Sequence, residues 1–423
     1  MKEMEYPRLG EKLFRKRLSN GLEVVTVSKP YHAKSYAFFA TRYGGMDLRF
    51  RLDGRWQDTP AGIAHYLEHK MFDMETGSVM QEFARNGASD NAFTSNAMTA
   101  YYFTSTVNFY ENLRTLLRFV STPYFTQESV EKERGIIAQE IQETEDEPDW
   151  RVYTNLMGCL YKDSPARIPV AGSADSIQLI SPQTLYDCHK AFYTPSNMIL
   201  VCVGNLDPER VAAEAEAILP REGGKAIERD YGREECLSPA KREASQSMEV
   251  SMPMFLAGYK CRPQEGGEAF LRQSIIGDMA CDVLFGASSP LFTRLYEEGV
   301  INGSLGGSFD MLPGAFYLYV GGDAEDPRRI FDEITAQAQK LGREGIDEDF
   351  YRQIRRAAYG GMIRSLNSFE NIAISLSEGY FWNFDYCRFP EVFDEIAKAD
   401  VEEFLRDNIA PERAALSLIY PPS

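Results

Sequence analysis

Residues 65–69 of this 423-residue chain read His65-Tyr66-Leu67-Glu68-His69 (HYLEH) and contain two of its four histidines. Residues three and four apart lie on one face of a helix, so both imidazoles and the Glu68 carboxylate would point the same way. Two neutral imidazoles can bind a zinc ion, and a neighbouring glutamate can accept a proton from the water that the zinc activates. The order of residues is that of the inverted zinc motif, H-x-x-E-H. These five residues therefore predict a zinc-binding helix.

Strand and helix signals alternate on both sides of this motif. Apolar runs bounded by turn residues predict strands at 22–27, 35–42, 100–107 and 197–203. Periodic apolar residues predict helices at 108–120, 127–145 and 208–219. Asp58 or Thr59 is predicted to cap the motif helix, with Pro60 in its first turn. The first half of the chain is therefore predicted to form one mixed domain.

The same order of elements returns in the second half of the chain. The segment around Pro411 repeats the order of elements around Pro195, at an offset of 216 residues (411 − 195). A repeat of this period indicates that one α/β domain was duplicated. The second half contains no histidine, so it cannot reproduce the metal motif. Because residues 221–247 are polar and rich in charge, we predict a catalytic-type domain at 1–220, a linker at 221–247 and a non-catalytic repeat domain at 248–423.

Composition excludes several classes of partner. The formal charge of −18, from 45 basic and 63 acidic residues, argues against nucleic acid and against an anionic membrane surface. No apolar run approaches 18 residues, and the N-terminal segment lacks the apolar core of a secretory signal, so no membrane span or export is expected. The seven cysteines form no C-x-x-C pair. That number and spacing are typical of a reduced chain, and the cytoplasm is the expected compartment.

A catalytic zinc ion normally has three protein ligands, and HYLEH supplies two of them. Glu133 and Glu140 are seven residues apart on the predicted helix 127–145 and therefore lie on one face of it. A carboxylate on the inward face would need a cationic partner, and zinc is one. The residues by themselves leave the third ligand open. The candidates are His32, His189, Glu133, Glu140 and Glu143.

At this point the sequence resembles a known family. HYLEH, followed by ERGIIAQEI from Glu133 onward, resembles the zinc site of the pitrilysin/insulinase/mitochondrial processing peptidase family. ASDNAFTSNAMTAYYFTST (88–106) resembles the edge-strand motif of that family, and YTPSNMILVCVGNLDP (193–208) resembles the end of its first domain. The second half is similar to the non-catalytic domain. The chain as a whole is similar to a bacterial, zinc-bearing, half-length subunit.

The resemblance implies an α+β fold of two duplicated α/β-roll domains, each a mostly antiparallel sheet with helices on one face. The two domains would form one half of a clamshell that closes around an unfolded peptide. The resemblance also implies one Zn²⁺ per chain. The residues implied for this site are His65, His69 and Glu140 as ligands, Glu68 as the catalytic base and Glu133 as a supporting acid.

The activity implied by the resemblance is that of a zinc metalloendopeptidase acting on short or unfolded peptides. The peptide main chain would add as a strand along the edge-strand motif, a mode that reads backbone more than side chains. The residues expected to bind it are Asn91, Ala92, Phe93 and Thr94.

One departure from the family bears on the partner. In active members of the family, the non-catalytic half carries an arginine and a tyrosine in a segment like L-R-E-K-x-G-L-A-Y. This pair binds the substrate carbonyl and stabilises the oxyanion. Here the corresponding segment, 295–302, places Tyr296 and Asn302 at those positions, and Arg294 would face another side of its helix. We therefore expect a paralogous, zinc-free subunit to supply the pair in a heterodimer, with a homodimer as the alternative.

Two other functions remain open on the sequence. The missing arginine and tyrosine favour a peptide-binding or assembly subunit with weak or no independent activity. The intact zinc motif opposes that interpretation. A zinc hydrolase acting on another bond is the other alternative, and only the resemblance of the edge-strand motif favours peptide over it.

Overall fold

The computed structural model describes residues 1–75 and 77–422, and these residues form two compact units. Unit 1 consists of Met1–Ile141, Pro169–Tyr231 and Ser365–Phe381. Unit 2 consists of Gln142–Ile168, Gly232–Arg364 and the described residues from Trp382 onward. The sequence predicts two contiguous domains, whereas each unit contains one segment from the opposite half of the chain.

The strands and helices follow one another along both units. The strands are β1 (Lys2–Tyr6), β2 (Glu11–Arg17), β3 (Glu23–Ser28), β4 (Ser35–Thr41), β5 (Arg49–Leu52), β6 (Arg55–Asp58), β7 (Asp73–Met74), β8 (Gly77–Ser78), β9 (Ala88–Thr94), β10 (Thr99–Ser105), β11 (Met198–Gly204), β12 (Glu243–Ser247), β13 (Met254–Cys261), β14 (Gly306–Leu312), β15 (Ala315–Asp323) and β16 (Ala414–Tyr420). The helices are α1 (Ile63–Met71), α2 (Met80–Arg85), α3 (Phe109–Ser121), α4 (Gln127–Asp146), α5 (Pro148–Leu160), α6 (Pro182–Phe192), α7 (Pro208–Ile218), α8 (Glu268–Phe285), α9 (Pro290–Glu297), α10 (Pro327–Glu344), α11 (Glu348–Ser365), α12 (Phe369–Phe381), α13 (Phe389–Asp394) and α14 (Lys398–Asn408).

The five-stranded sheet of unit 2 repeats the topology of five strands in the seven-stranded sheet of unit 1. The sheet of unit 1 has the order β1-β2-β3-β11-β4-β10-β9, and the sheet of unit 2 has the order β12-β16-β13-β15-β14. In each sheet one neighbouring pair is parallel, β3 with β11 and β12 with β16, and the other pairs are antiparallel. The last five strands of unit 1 therefore match the five of unit 2 in order and direction. This confirms the predicted α+β class and the duplication.

Strand β4, an interior strand of the unit 1 sheet, is buried along its whole length. Ala37 and Phe39 belong to the core on which α1 packs. Tyr36 and Phe38, on the opposite face, are also buried, and α12 packs against β4 and β11. The sheet of unit 1 is therefore covered on both faces of β4, whereas helices on one face are expected from the resemblance.

Helix α5 lies in the first half of the chain but belongs to unit 2, and its apolar face explains why. Helix α5 buries Val152, Leu156 and Leu160, and it packs on β13 and β16 of unit 2. At Gly258 of β13 an added Cβ would lie 2.8 Å from Leu156 Cδ1, so any larger residue there would displace this leucine. Packing of this face, which local sequence does not reveal, assigns α5 to unit 2.

The segment predicted as a linker, 221–247, contains fixed structure. Arg229 forms a β-bridge with Phe50 and a buried ion pair with Asp47, Nε to Oδ1 at 2.9 Å. Further along, β12 pairs in parallel with β16. The EASQS sequence of β12 offers little apolar alternation, so its place in the sheet depends on main-chain pairing that the sequence pattern does not show.

One segment of the described chain, Glu268–Glu297, is long and apolar enough by composition to cross a membrane. Of its apolar window, 61% is buried inside the protein. In unit 2 this segment contains α8, whose buried residues include Leu271, Ile275 and Leu284. Burial of this kind is typical of a core helix, which explains the apolar composition.

Candidate active site

Helix α1, which carries the HYLEH motif, begins later than the sequence predicts. Asp58 ends β6 and pairs with Arg49, and the Thr59 hydroxyl donates a hydrogen bond to the Leu48 carbonyl at 3.0 Å, so neither residue caps the helix. The residue before the helix is Gly62, with φ at +89°. A Cβ on Gly62 would lie 2.4 Å from the Ala171 carbonyl oxygen. The left-handed turn at this glycine, and not a side-chain cap, therefore starts the helix.

Apolar residues orient α1. Ile63, Ala64 and Leu67 are buried in the core of unit 1. Tyr66 is buried too, and its hydroxyl donates to the Val130 carbonyl of α4. This hydrogen bond holds α1 beside α4. The motif histidines His65 and His69 then face Glu140 of α4.

The motif histidines and one glutamate of α4 converge. His65 Nε2 lies 3.5 Å from Glu140 Oε1, and His69 Nε2 lies 3.6 Å from Glu140 Oε2. One donor atom from each of the three side chains falls within 4.8 Å of the others. Within the described ranges this is the one group of three histidine, cysteine or acidic side chains with such spacing. The structure thus brings together His65, His69 and Glu140.

The remaining candidates for a third ligand lie elsewhere. His189 is buried and its Nε2 lies 3.0 Å from the Val120 carbonyl oxygen. His32 is exposed and packs its ring on Phe369. Glu143 is exposed near the end of α4. Of the alternatives that the sequence left open, only Glu133 and Glu140 lie against the motif histidines.

Glu133 contacts the back of one histidine. Its Oε1 lies 3.1 Å from His69 Nδ1, on the ring nitrogen opposite to the one that faces Glu140. Carboxylates in this position fix the tautomer and the orientation of a metal-binding imidazole. The corresponding atom of the other motif histidine, His65 Nδ1, is buried and has no hydrogen-bond partner among the described residues.

The donor set fits a zinc ion. Two atoms that each bind a tetrahedral ion at about 2.0–2.2 Å lie roughly 3.3–3.6 Å apart. The two nitrogen–oxygen distances to Glu140, 3.5 and 3.6 Å, agree with that separation. Two imidazoles and one carboxylate are also a set found at catalytic zinc sites, where a fourth position stays open. With Glu68 and Glu133, three carboxylates adjoin the two rings, and a dication would offset their charge.

The close approach of these carboxylates and imidazoles shifts their pKa values. A hydrogen bond with His65 lowers the pKa of the Glu140 carboxyl against the opposing effect of burial. For His69, burial opposes the charged form, but the hydrogen bond with Glu133 and the nearby carboxylates of Glu68 and Glu140 outweigh it and raise the pKa. Without a metal, the raised pKa of His69 therefore favours an imidazolium beside these carboxylates.

Glu68 is 8% exposed, and its carboxylate points toward the edge strand. Thr94 Oγ1, at the end of β9, donates a hydrogen bond to Glu68 Oε2 at 2.7 Å. Burial raises the pKa of the Glu68 carboxyl, although Thr94 and the two histidines act in the other direction. A carboxylate with a raised pKa beside a metal site is suited to accept and return a proton near neutral pH.

The four residues expected to bind a peptide lie on β9, which is the edge strand of its sheet. Asn91 is exposed, and its Oδ1 accepts from the Ala92 amide at 2.8 Å. Phe93 packs against Phe38 at 6.1 Å between ring centroids. The Thr94 side chain, by contrast, is turned toward Glu68. An edge strand next to the site is available for strand addition by another chain.

The positions that depart from the family lie in unit 2. Tyr296, on α9, is 57% exposed and stacks on Phe292. Asn302 Oδ1 accepts from the Ser304 amide at 2.7 Å. Arg294 forms ion pairs with Glu298 and Glu333. Because two carboxylates already bind Arg294, this arginine is engaged within its own unit.

Sequence reasoning missed the hydrogen bond from Thr94 to Glu68 and the buried pair of Asp47 with Arg229. Thr94 was predicted to bind substrate because it belongs to the edge-strand motif. Alternation along β9 places Thr94 on the same face as Ala92, which packs against the core below α1, and this pattern is the signal that points to the observed contact. Nothing in the sequence pairs Asp47 with a residue 182 positions away.

Two family models match the chain. The model described as "Insulinase (Peptidase family M16)" matches residues 54–174, and the one described as "Peptidase M16 inactive domain" matches residues 179–357. The first range contains all of the site residues described above. The second begins within the unit 1 segment Pro169–Tyr231 and ends within α11 of unit 2.

Individual relatives extend over the whole chain. The uncharacterized zinc protease YmfH of Bacillus subtilis is 36% identical over 100% of both chains. A probable mitochondrial-processing peptidase subunit beta of Schizosaccharomyces pombe is 27% identical over 66% of this chain and 61% of its own. The crystal structure of an M16-like peptidase from Alicyclobacillus acidocaldarius superposes with a TM-score of 0.94 at 32% identity, covering 99% of this chain and 100% of the other.

Proposed function

Because this chain belongs to the insulinase family of peptidases, M16, we propose that it is a zinc metalloendopeptidase that cleaves short or unfolded peptides. The observation that carries the proposal is the convergence of His65, His69 and Glu140, with distances of 3.5 and 3.6 Å between the paired donor atoms. Glu68 lies on the same helical face and is held by Thr94. The chain would bind one zinc ion through those three side chains.

The residues of the site have separate parts in hydrolysis. When bound, the zinc ion supplies a Lewis acid for the scissile carbonyl and lowers the pKa of water. Glu68 takes the proton from the attacking water and returns it to the leaving amine. Glu133 holds His69 in the tautomer that presents Nε2 to the metal. Burial of Glu68 keeps this carboxylate away from bulk solvent, which favours proton transfer over solvation.

The substrate would bind as an added strand on β9. The outer edge of this strand has no neighbour in the sheet of unit 1, as far as the described residues extend. Backbone groups of Asn91, Ala92 and Phe93 would pair with the peptide main chain, while Thr94 brings the strand to Glu68. Recognition through the main chain suits unfolded peptides of varied sequence. Such peptides would be enclosed in a chamber when two subunits close.

We propose that the active form is a dimer with a zinc-free paralogue. Tyr296 and Asn302 replace the arginine and tyrosine that the family resemblance leads one to expect, and Arg294 is held by Glu298 and Glu333. Loss of one oxyanion donor costs about a hundredfold or more in rate. A partner subunit that supplies the arginine and the tyrosine would restore the lost rate. The homodimer is the alternative assembly.

The cytoplasm is the proposed compartment. All seven cysteines are free in the structure, and six of them are buried. Free buried thiols are common in reducing compartments and are seldom kept in secreted proteins.

A second function, that of a peptide-binding or assembly subunit with weak or no activity of its own, is favoured by one observation. The two substituted positions, Tyr296 and Asn302, leave the second half without the expected donors. Such a subunit would bind peptides on β9 but would not turn them over, with or without its paralogue.

The experiment that separates these functions uses the purified full-length chain. Zinc content is measured by inductively coupled plasma mass spectrometry, and cleavage of a quenched fluorescent peptide library is followed with and without the co-expressed paralogue. About one zinc per chain, cleavage that requires the paralogue, and loss of cleavage in Glu68→Gln with zinc retained are expected. Full activity of the chain alone would contradict the heterodimer. Binding without cleavage in every combination would support the alternative.

A further inference from the structure

We propose that Thr94 is a positioning residue for Glu68, through the hydrogen bond from its hydroxyl to Oε2. The substrate contact that the sequence predicts for Thr94 would be made by the main chain of β9. The role proposed here belongs to the Thr94 side chain. The inference rests on the proposed peptidase function. In addition, β9 would both pair with the peptide and orient the Glu68 carboxylate, which transfers the proton.

The contact is short and well shielded. Thr94 Oγ1 lies 2.7 Å from Glu68 Oε2, in the range of a charge-assisted hydrogen bond. Glu68 is 8% exposed, so few water molecules can replace the hydroxyl. Since Oε2 accepts from Thr94, the carboxylate is restrained about its last torsion and Oε1 is the oxygen left to accept a proton from water.

A second threonine lies against the first. Thr99 of β10 pairs with Thr94 in the sheet register, and the two hydroxyl oxygens lie 3.3 Å apart. Thr99 Oγ1 also lies 2.8 Å from the Tyr43 carbonyl oxygen, and Thr99 is fully buried. The hydroxyl of Thr94 is therefore flanked by a fixed hydroxyl on one side and by the carboxylate on the other. Its single proton is directed at Glu68.

The turn after Thr94 is clamped by a neighbouring loop. The amides of Gly45 and Met46 each donate at 2.9 Å, to the carbonyls of Ser95 and Asn96 respectively. A Cβ at Gly44 would lie 2.5 Å from the Ser95 carbonyl oxygen, so the approach of this loop requires glycine. The end of β9 is thus fixed on the side of its C-terminus.

The loop is in turn anchored by a buried carboxylate. Asp47 Oδ2 accepts from the Gly44 amide at 2.8 Å, and Oδ1 accepts from Arg229 Nε and from the Tyr231 hydroxyl, both at 2.9 Å. Asp47 is 1% exposed. The polar segment predicted as a linker therefore contributes, through Asp47 and Gly44, to the fixed position of Thr94. This connected set of contacts explains how an edge strand can hold a catalytic group with precision.

The test replaces the hydroxyl and keeps the shape. Thr94→Val is close to isosteric and keeps the preference for a strand, while Thr94→Ser keeps the donor. Loss of a hydrogen bond to a charged group corresponds to about a ten- to hundredfold fall in kcat. We expect that fall in Thr94→Val, with KM within about twofold, because the β9 main chain that would bind the peptide is unchanged. Thr94→Ser should recover most of the loss.

The matched control is Thr104→Val. Thr104 lies on β10, five residues after Thr99, and therefore on the opposite face of the sheet from Thr94. Its kcat and KM should equal those of the unaltered protein. Zinc content should agree among all four proteins, since the hydrogen bond of Thr94 is made to Glu68 and not to His65, His69 or Glu140.

Crystal structures of the zinc-loaded Val and Ser variants give a readout that does not depend on turnover. We expect the Glu68 carboxylate to leave its position in Thr94→Val and to keep it in Thr94→Ser. An unmoved carboxylate in Thr94→Val, or a raised KM with unchanged kcat, would overturn the proposal and return Thr94 to substrate binding. If neither the chain nor its complex cleaves any peptide, the proposed function fails, and the two structures still decide the role of Thr94.

Discussion

Nδ1 of His69 lies 3.1 Å from Oε1 of Glu133, a residue about two helical turns before Glu140 on α4. If Nδ1 carries the proton, it donates to Glu133, and the lone pair of Nε2 faces Glu140 at 3.6 Å. Two glutamates of α4 thus contact opposite edges of one imidazole. In the proposed zinc site, Glu133 would set the tautomer of His69 that leaves the Nε2 lone pair for the ion bound by Glu140.

This relationship predicts the effect of Glu133→Gln on metal binding. The amide keeps the shape but weakens the hold on the Nδ1 proton, so zinc affinity should fall by about ten- to a hundredfold. Competition with a chromogenic chelator measures it. Glu131→Gln is the control, because Glu131 is exposed on the same helix and accepts from Gln127. An equal affinity in both variants would mean that Glu133 does not orient His69.

Glu68→Gln should separate catalysis from folding. Since Glu68 is buried and burial raises the pKa of its carboxyl, a neutral amide should leave the melting temperature equal or higher. Zinc content should stay at about one per chain, while peptide cleavage should fall by a factor of about 10² to 10⁴ with the loss of the proton acceptor. Calorimetry, metal analysis and peptide cleavage test this together. A fall in zinc content would show that Glu68 belongs to the metal site.

His189 should make unit 1 less stable in acid. Burial lowers the pKa of His189 from 6.5 to about 4, against the effect of its hydrogen bond with Val120. The unfolded chain therefore binds an extra proton between these values. The stabilising effect of a neutral His189 is complete above pH 6.5 and is lost as the pH falls toward 4, with about 2 kcal/mol lost at pH 5.

Urea unfolding of the metal-free protein at pH 7 and pH 5 measures this loss. His189→Gln retains a donor for the Val120 carbonyl and does not titrate. The difference in unfolding free energy between the two pH values should therefore be smaller in the variant by that amount. The same difference in both proteins would show that His189 is protonated in the folded state.

Glu235 should stabilise unit 2 by holding a loop and a buried cation. Its carboxylate accepts from the amides of Lys162, Asp163 and Ser164 and from Lys260 Nζ at 3.1 Å. Although burial opposes the charge, these donors lower the pKa of Glu235 to about 2. Its contribution is thus present above pH 4.5 and is lost as the pH falls toward 2.

Glu235→Gln leaves the Lys260 ammonium, 3% exposed, without its carboxylate partner. The free energy of unfolding at pH 7 should fall by about 2–4 kcal/mol. Glu234→Gln, one residue earlier and exposed, is the control. Equal stability of the two variants at pH 7 would indicate that Lys260 finds another partner.

Much of the fold follows from local patterns. The strands at 23–28, 35–41, 99–105 and 198–204 lie within one or two residues of the predicted ones, because β-branched or aromatic runs bounded by turns are strong strand signals. The 216-residue repeat indicated a duplicated domain, and five strands of each main sheet do share one topology. Patterns failed where the contact is distant in sequence, as in the segments exchanged between units and in β12, whose pairing depends on the main chain of β16.

The spacing of His65, Glu68 and His69 by itself specified one face of a helix with two metal donors and a base, since helical geometry is local. This spacing could not select Glu140 from the other candidates for a third ligand. It also could not indicate that the Thr94 hydroxyl bonds to Glu68. Both choices needed α1, α4 and β9 to be packed together by Tyr66, Val130 and the core beneath them. A site that binds one ion requires donor atoms within a few ångströms, and such distances between separate elements are set by packing.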